Sequence, residues 1–96
     1  MLFVAICLDK AGHQQTRLDH RPEHLAYLNG LKEKLKVAGA LLGPDTKTPV
    51  GSMLIYDCAD EAEARGLAAA DPFTKAGLFA SVDVKAWRQG VGAPLA

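Results

Sequence analysis

The sequence has no surplus of either charge. Eleven Lys and Arg residues balance eleven Asp and Glu, so the chain lacks the positive field that gathers phosphate backbones or anionic membrane surfaces, and neither nucleic acid nor membrane is an expected partner. Cysteine is scarce. Cys7 and Cys58 each sit inside an apolar segment, with no C-x-x-C or His-rich spacing, and read as small buried hydrophobes in a reducing, cytoplasmic setting. Cys7 also has no basic neighbour in sequence to activate its thiol and is expected to be inert. Long apolar runs are missing too: the longest, LFVAICL near the N-terminus, has neither the length of a membrane span nor the basic leader of a signal peptide. There is no glycine-rich phosphate loop, because Gly39 to Gly43 has the wrong spacing and no helix is expected after it. Of the three histidines, His20 and His24 mimic a helical i, i+4 pair, but Pro22 between them is expected to leave His20 outside the helix. No metal site and no cofactor are therefore expected.

What is present is enough for one small core. Ninety-six residues at 49% hydrophobic content make a single domain over 1–96, with no room for a second. Met1 to Leu8 is apolar on every position and reads as a strand covered on both faces. Asp9 to His20 is polar and aperiodic, a loop with at most a helical turn near Arg17. Pro22 marks the first position of a long helix, with Leu25, Leu28, Leu31 and Leu35 at helical spacing and Gly39 as its end. Ala40 to Gly43 is a short strand, Pro44 to Gly51 a hairpin loop, and Ser52 to Cys58 a third strand. Asp60 and Glu63 form a capping-box pattern for a second helix that runs to Ala70. In the last strand, Leu78 to Trp87, the aliphatic row Leu78, Ala80, Val82, Val84 and Ala86 alternates with Phe79, Ser81, Asp83, Lys85 and Trp87. The tail, residues 89–96, is expected to be loose. The order βαββαβ predicts an α+β, ferredoxin-like fold, with two helices on one face of a four-stranded antiparallel sheet. Two helices cover only one face, yet the first strand is apolar on both and Phe79 and Trp87 share the second face, so a homodimer is expected to supply the missing cover.

Two residues stand out as chemistry. His24 shares the inward stripe of the first helix, in its first turn, and so faces the sheet. Asp71 precedes Pro72, which forces it out of the helical region and ends the second helix there. A lone inward histidine is commonly a core residue and an Asp-Pro a plain helix stop. Together they make sense as a proton-handling pair, with the carboxylate fixing the tautomer and the far ring nitrogen left as a general base. At the expected helix start, the dipole opposes an imidazolium that the aspartate favours. Arg17 and Arg21 lie just upstream, suited to hold a phenolate or carboxylate by forked hydrogen bonds, although each taken alone reads somewhat more readily as a structural or solvated residue, Arg21 as a partner of the Asp71 corner. Ser52 is a donor to a substrate oxygen or else a strand-entry residue. Ser81 and Tyr56 are weaker candidates, and Phe73 and Phe79 are expected as pocket walls or core rather than specific contacts.

The segments RPEHLAYL (Arg21 to Leu28), Gly43-Pro44, Gly51-Ser52 and DPFTKAGLF (Asp71 to Phe79) together resemble the YCII (YciI-like) family over nearly the whole chain. The resemblance implies a dimeric α+β barrel, related in architecture to muconolactone isomerase and small cofactor-free monooxygenases. It also implies an active site built on a His and Asp pair, here His24 and Asp71. It further implies a small cyclic, oxygenated substrate and an elimination or isomerisation, such as dehydrochlorination of a chlorinated hydroxyhydroquinone in aromatic degradation. The competing expectation is a dimeric module that binds such a metabolite without changing it.

Overall fold

The computed structural model describes residues 1–95, and its elements follow the order β1 (Leu2–Asp9), α1 (Gln14–Gly30), β2 (Leu35–Leu42), β3 (Pro49–Asp57), α2 (Glu61–Ala70), α3 (Pro72–Lys75) and β4 (Phe79–Trp87). The strands form one antiparallel sheet in the order β2-β3-β1-β4, the ferredoxin-like arrangement expected from the element order. The register sets the two faces. Phe3, Ala5 and Cys7 of β1 stand beside Tyr56, Leu54 and Ser52 of β3 and beside Ala86, Val84 and Val82 of β4. With Leu28 of α1 and Ala64 and Ala68 of α2, most of this row makes the buried core. The alanines of α2 let its backbone lie close to the sheet. Asp60 caps α2 by accepting from the Glu63 amide at 2.8 Å, and Glu63 reaches back to the Ala59 amide, a capping box displaced by one residue on its return arm.

The first helix differs most from the expectation. It begins at Gln14, not Pro22, and ends at Gly30, so Asp9 to His20 is largely helix, His20 lies within it and His24 sits in its interior. Pro22 removes one backbone bond but does not end the helix, because two flanking side chains, Arg17 and His24, are both drawn into the core; tertiary anchoring outweighs the local cost. Leu35 starts β2 instead of closing the helix, and Gly39 lies mid-strand. A 3₁₀ turn, Lys32–Lys34, makes the exit, with Lys32 at φ 55°. The polar-apolar pattern of Leu25 to Leu35 misleads because the last two leucines belong to this turn and the next strand. Likewise Ser52 is inside β3, which opens at Pro49.

The last strand also corrects the sequence reading. Asp9 pairs with Phe79 and Leu8 with Ser81, so Ala80 is an extra residue, a bulge on β4. The bulge returns Phe79 to the helix-covered side, where it packs against the core and meets Phe73 edge-on at 6.1 Å; bulges re-aim side chains in this way. The opposite face carries Leu2, Val4, Ile6 and Leu8 with Trp87, of which Leu8 is 47% and Trp87 39% exposed. Beyond β4, Gln89 ties the chain end through its side-chain amide to Val91, Ala93 and Leu95; Ala96, the last residue of the expected tail, lies outside the described residues.

Two substitutions probe the packing. A Cβ on Gly51 would fall onto the Cys7 carbonyl oxygen across the β1–β3 pair, backbone that cannot give way, so Gly51→Ala is expected to destabilise by about 2–3 kcal/mol in urea unfolding, while Gly39→Ala, with open space around it, changes little. Tyr56 is fully buried and its hydroxyl has no hydrogen-bond partner, so Tyr56→Phe is expected to leave the unfolding midpoint unchanged or raise it; a loss of more than about 1 kcal/mol would show that the hydroxyl is satisfied in solution.

Candidate functional site

The sequence that ends α2 builds one side of the site. Asp71 takes an extended conformation, φ −61° and ψ 131°, ahead of Pro72, and its Oδ1 accepts the Phe73 amide at 2.9 Å. The same residue thus closes α2 and caps α3, the short helix that the sequence does not announce. Thr74 secures the corner by donating its hydroxyl to the Ala68 carbonyl at 2.7 Å. With its backbone held and its amide partner set, the carboxylate has its remaining capacity directed at α1.

There it meets His24. The Nδ1 of His24 lies 2.8 Å from Oδ1 and 3.0 Å from Oδ2 of Asp71, with both residues buried. A carboxylate accepts, so Nδ1 carries a proton and donates, and in the neutral ring it is Nε2 that holds the lone pair. The imidazole stacks on Phe73 with centroids 3.9 Å apart and planes 12° from parallel, which fixes the ring in its second dimension. Because His24 lies in the interior of α1, the helix dipole, confined to the end turns, does not act on it as the sequence reading supposed.

A second cluster stands one helical stretch away. Arg17, buried on α1, donates Nε to Asp9 Oδ2 at 2.8 Å and Nη2 to Asp9 Oδ1 at 2.9 Å, and Nη2 also reaches Ser52 Oγ at 3.0 Å. Its guanidinium carbon lies 4.8 Å from the centroid of the Phe73 ring, so one aromatic ring is shared by the arginine and the histidine. Asp9 was not singled out in the sequence, where it only bounds an apolar run. Its role depends on the β4 bulge and on α1 starting early enough to carry Arg17 inward.

The two clusters border one cavity of about 170 Å³, lined by Arg17, Arg21, His24, Ser52, Leu54 and Phe73, with small residues of β2 on the far side. Four of the five expected site residues, Arg17, Arg21, His24 and Ser52, line it, and Asp71 stands behind His24. Arg21 contributes from the exposed rim and has no hydrogen-bond partner among the described residues; it does not bind the Asp71 corner. Ser81 is on the exposed part of β4 and Tyr56 lies within the core, so neither reaches the cavity. Phe73 is a wall, as expected, and Phe79 buttresses it. Burial, followed by the negative charge of Asp71 and then of Asp9, pushes the Cys7 thiol up to about 12, with Arg17 partly opposing. Cys7 is therefore a neutral packing group and not a nucleophile. Burial and then Asp71 raise the Tyr27 phenol as well, while its hydroxyl donates to the Leu67 carbonyl at 2.7 Å. Among the described residues no group of three or more His, Cys, Asp and Glu side chains is gathered for a metal, and no helix is long and apolar enough to cross a membrane.

Comparison with known proteins agrees with this fold. A solved structure of 5-chloro-2-hydroxyhydroquinone dehydrochlorinase from Burkholderia phenoliruptrix AC1100, in complex with 2,5-dihydroxybenzoquinone, superposes with a TM-score of 0.84 at 41% identity, covering 94% of this chain and 96% of that one. A cofactor-independent oxygenase from Streptomyces nogalater shares the fold alone, with a TM-score of 0.55 at 13% identity over 96% of both chains. The protein YciI of Escherichia coli O6:H1 is 34% identical, across 93% of this chain and 98% of that protein. Residues 1–88 match the YCII-related domain, and the chain belongs to the YCII family.

Proposed function

We propose that the cavity binds a small hydroxylated ring and that His24, oriented by Asp71, moves protons on it, most specifically in the loss of hydrogen chloride from a chlorinated hydroxyhydroquinone. One observation carries this reading: Nδ1 of His24 is committed to a buried carboxylate at 2.8 Å, while the ring lines a cavity of a size that suits a single six-membered ring. The likeness to a dehydrochlorinase at 41% identity supports the reaction class.

The chemistry needs no oxidant and no cofactor. Nε2 of His24 takes a proton from a ring hydroxyl, and the electron pair moves into the ring. The imidazolium returns that proton to the ring carbon that carries chlorine. Chloride then leaves that carbon as a second hydroxyl gives its proton to Nε2, which later releases it to solvent, and the product is a hydroxybenzoquinone. Hydrogen and chlorine are lost together, so electrons balance. Asp71 steadies the imidazolium formed in the first step, and the guanidinium of Arg17, the rim cation Arg21 and the Ser52 hydroxyl face the phenolate oxygen. The charge count fits: Arg17 is offset by Asp9 and an imidazolium by Asp71, which leaves Arg21 to match one substrate anion. Catalytic roles thus fall to His24 and Asp71, and substrate-binding roles to Arg17, Arg21 and Ser52.

The same reading includes assembly and setting. The uncovered face of β1, with Leu2, Val4, Ile6 and Leu8 beside Trp87, is covered by the same face of a second copy, a self-complementary contact between two sheets. Two free buried thiols suit a reducing cytoplasm, in which such a dimer would serve aromatic degradation.

Two measurements test these statements. Incubation with 5-chloro-2-hydroxyhydroquinone, followed by a chloride electrode, is expected to show one chloride released per substrate. His24→Asn, which keeps an N–H for Asp71, should lower that rate by about 10²–10⁴-fold. An unchanged rate in His24→Asn removes the mechanism, and thermal stabilisation by the compound with no chloride released indicates a binding module instead. Sedimentation at micromolar concentration is expected to give twice the chain mass of 10.2 kDa; a monomer would contradict the paired sheets.

A further inference from the structure

Asp9 is a buried acid for which proton transfer at His24 has no use. Its side chain and that of Arg17 are each 9% exposed, and they are joined by two parallel bonds, Nε to Oδ2 at 2.8 Å and Nη2 to Oδ1 at 2.9 Å. Such a forked pair fixes the plane of a guanidinium as well as its position. Nη2 carries two hydrogens, and the second points to Ser52 Oγ at 3.0 Å. A guanidinium donates and never accepts. The Ser52 hydroxyl, accepting from Arg17, must therefore aim its own proton elsewhere, and no side-chain or backbone acceptor for it exists among the described residues, while the residue lines the cavity.

We propose that Asp9 is the positioning residue for ligand recognition in this cavity: by locking Arg17 it fills one lone pair of Ser52 and leaves the hydroxyl proton for the ligand, so that this end of the cavity favours a deprotonated or carbonyl oxygen, to which both groups donate. The inference rests on the reading that Arg17 and Ser52 contact the ligand, and it divides the cavity by function. The Asp71 end, through Nε2 of His24, accepts a proton. The Asp9 end presents the Arg17 guanidinium and the Ser52 proton as donors. A ring with one deprotonated or carbonyl oxygen and one hydroxyl satisfies both, whereas a ring whose oxygens all keep their protons gives up the stronger, charge-assisted bonds at the Asp9 end. The β4 bulge that places Asp9 opposite Phe79 is then part of the recognition apparatus, in keeping with the frequent location of bulges beside sites.

The test is a double-mutant cycle on binding of 2,5-dihydroxybenzoquinone, followed by its visible absorbance, in the wild type, Asp9→Asn, Ser52→Ala and the double variant. Asn is nearly isosteric, but its amide hydrogens face the N–H groups of Arg17 and break the fork. Each single change is expected to weaken binding by about tenfold or more, and the double variant to bind no more weakly than Asp9→Asn alone, because the two residues act through one arginine. A purely structural role for Asp9 would give losses that multiply, and that result, or an unchanged affinity in Asp9→Asn, overturns the proposal. If Asp9→Asn does not fold, Arg17→Lys, which keeps the charge against Asp9 but cannot hold both Asp9 and Ser52 in one plane, takes its place in the cycle with the same expectation. A wild type that shows no binding also overturns it. Coupled losses in binding together with no chloride release would sustain the Asp9 role and remove the lyase reading, and chloride release with multiplying losses would do the reverse.

Discussion

The site depends on one buried carboxylate. Asp71 is held on three sides: by its own extended backbone before Pro72, by the Phe73 amide that it caps, and by Nδ1 of His24. A carboxylate this deep is tolerated only when donors surround it. The histidine that satisfies it is thereby fixed in tautomer, and Phe73, whose amide completes the cap, also supplies the ring on which the imidazole lies. Closing a helix, starting the next and orienting the His24 ring are done by the same few atoms, so the corner cannot be altered for one role without the others. On the proposed function, the structural and chemical roles of Asp71 fall to the same atoms.

A second acid does the equivalent for Arg17. Asp9 ends β1 at a bulge, and Arg17 crosses from α1 to meet it. Phe73 stands between the two acid-centred clusters, in contact with both the guanidinium and the imidazole. Of the basic side chains that line the cavity, Arg21, at the rim, has no counter-charge among the described residues. The cavity therefore has a fixed acceptor, fixed donors and one spare positive charge. On the proposed function, that is the equipment for taking a proton from an oxygenated ring and holding the anion left behind.

Much of this was legible in the residues. The βαββαβ order, the inward direction of His24 and the unwound position of Asp71 follow from periodicity, Asp-Pro chemistry and capping signals. The boundaries of α1 did not, because the rule that proline begins or ends a helix is local, whereas the burial of Arg17 and His24 on either side of Pro22 is not. The extent of β2 was hidden by leucines that continue a helical spacing after the helix has ended. Phe79 was assigned to the wrong face because strict alternation cannot register an extra residue such as Ala80, which appears only in the pairing of two strands. Asp9 was missed for the same reason: its partner lies on another element, and nothing in an acid at the end of an apolar run indicates an arginine folded back onto it.

The most direct test of the central claim concerns the His24 ring itself. Nitrogen-15 NMR of the histidine side chains, without ligand and at a pH where the ring is neutral, reports which ring nitrogen carries the proton. The account predicts that His24 has its proton on Nδ1, shared with Asp71, with Nε2 bare, and that Asp71→Asn abolishes this preference. A ring protonated on Nε2 alone would leave no base facing the cavity and would contradict the account.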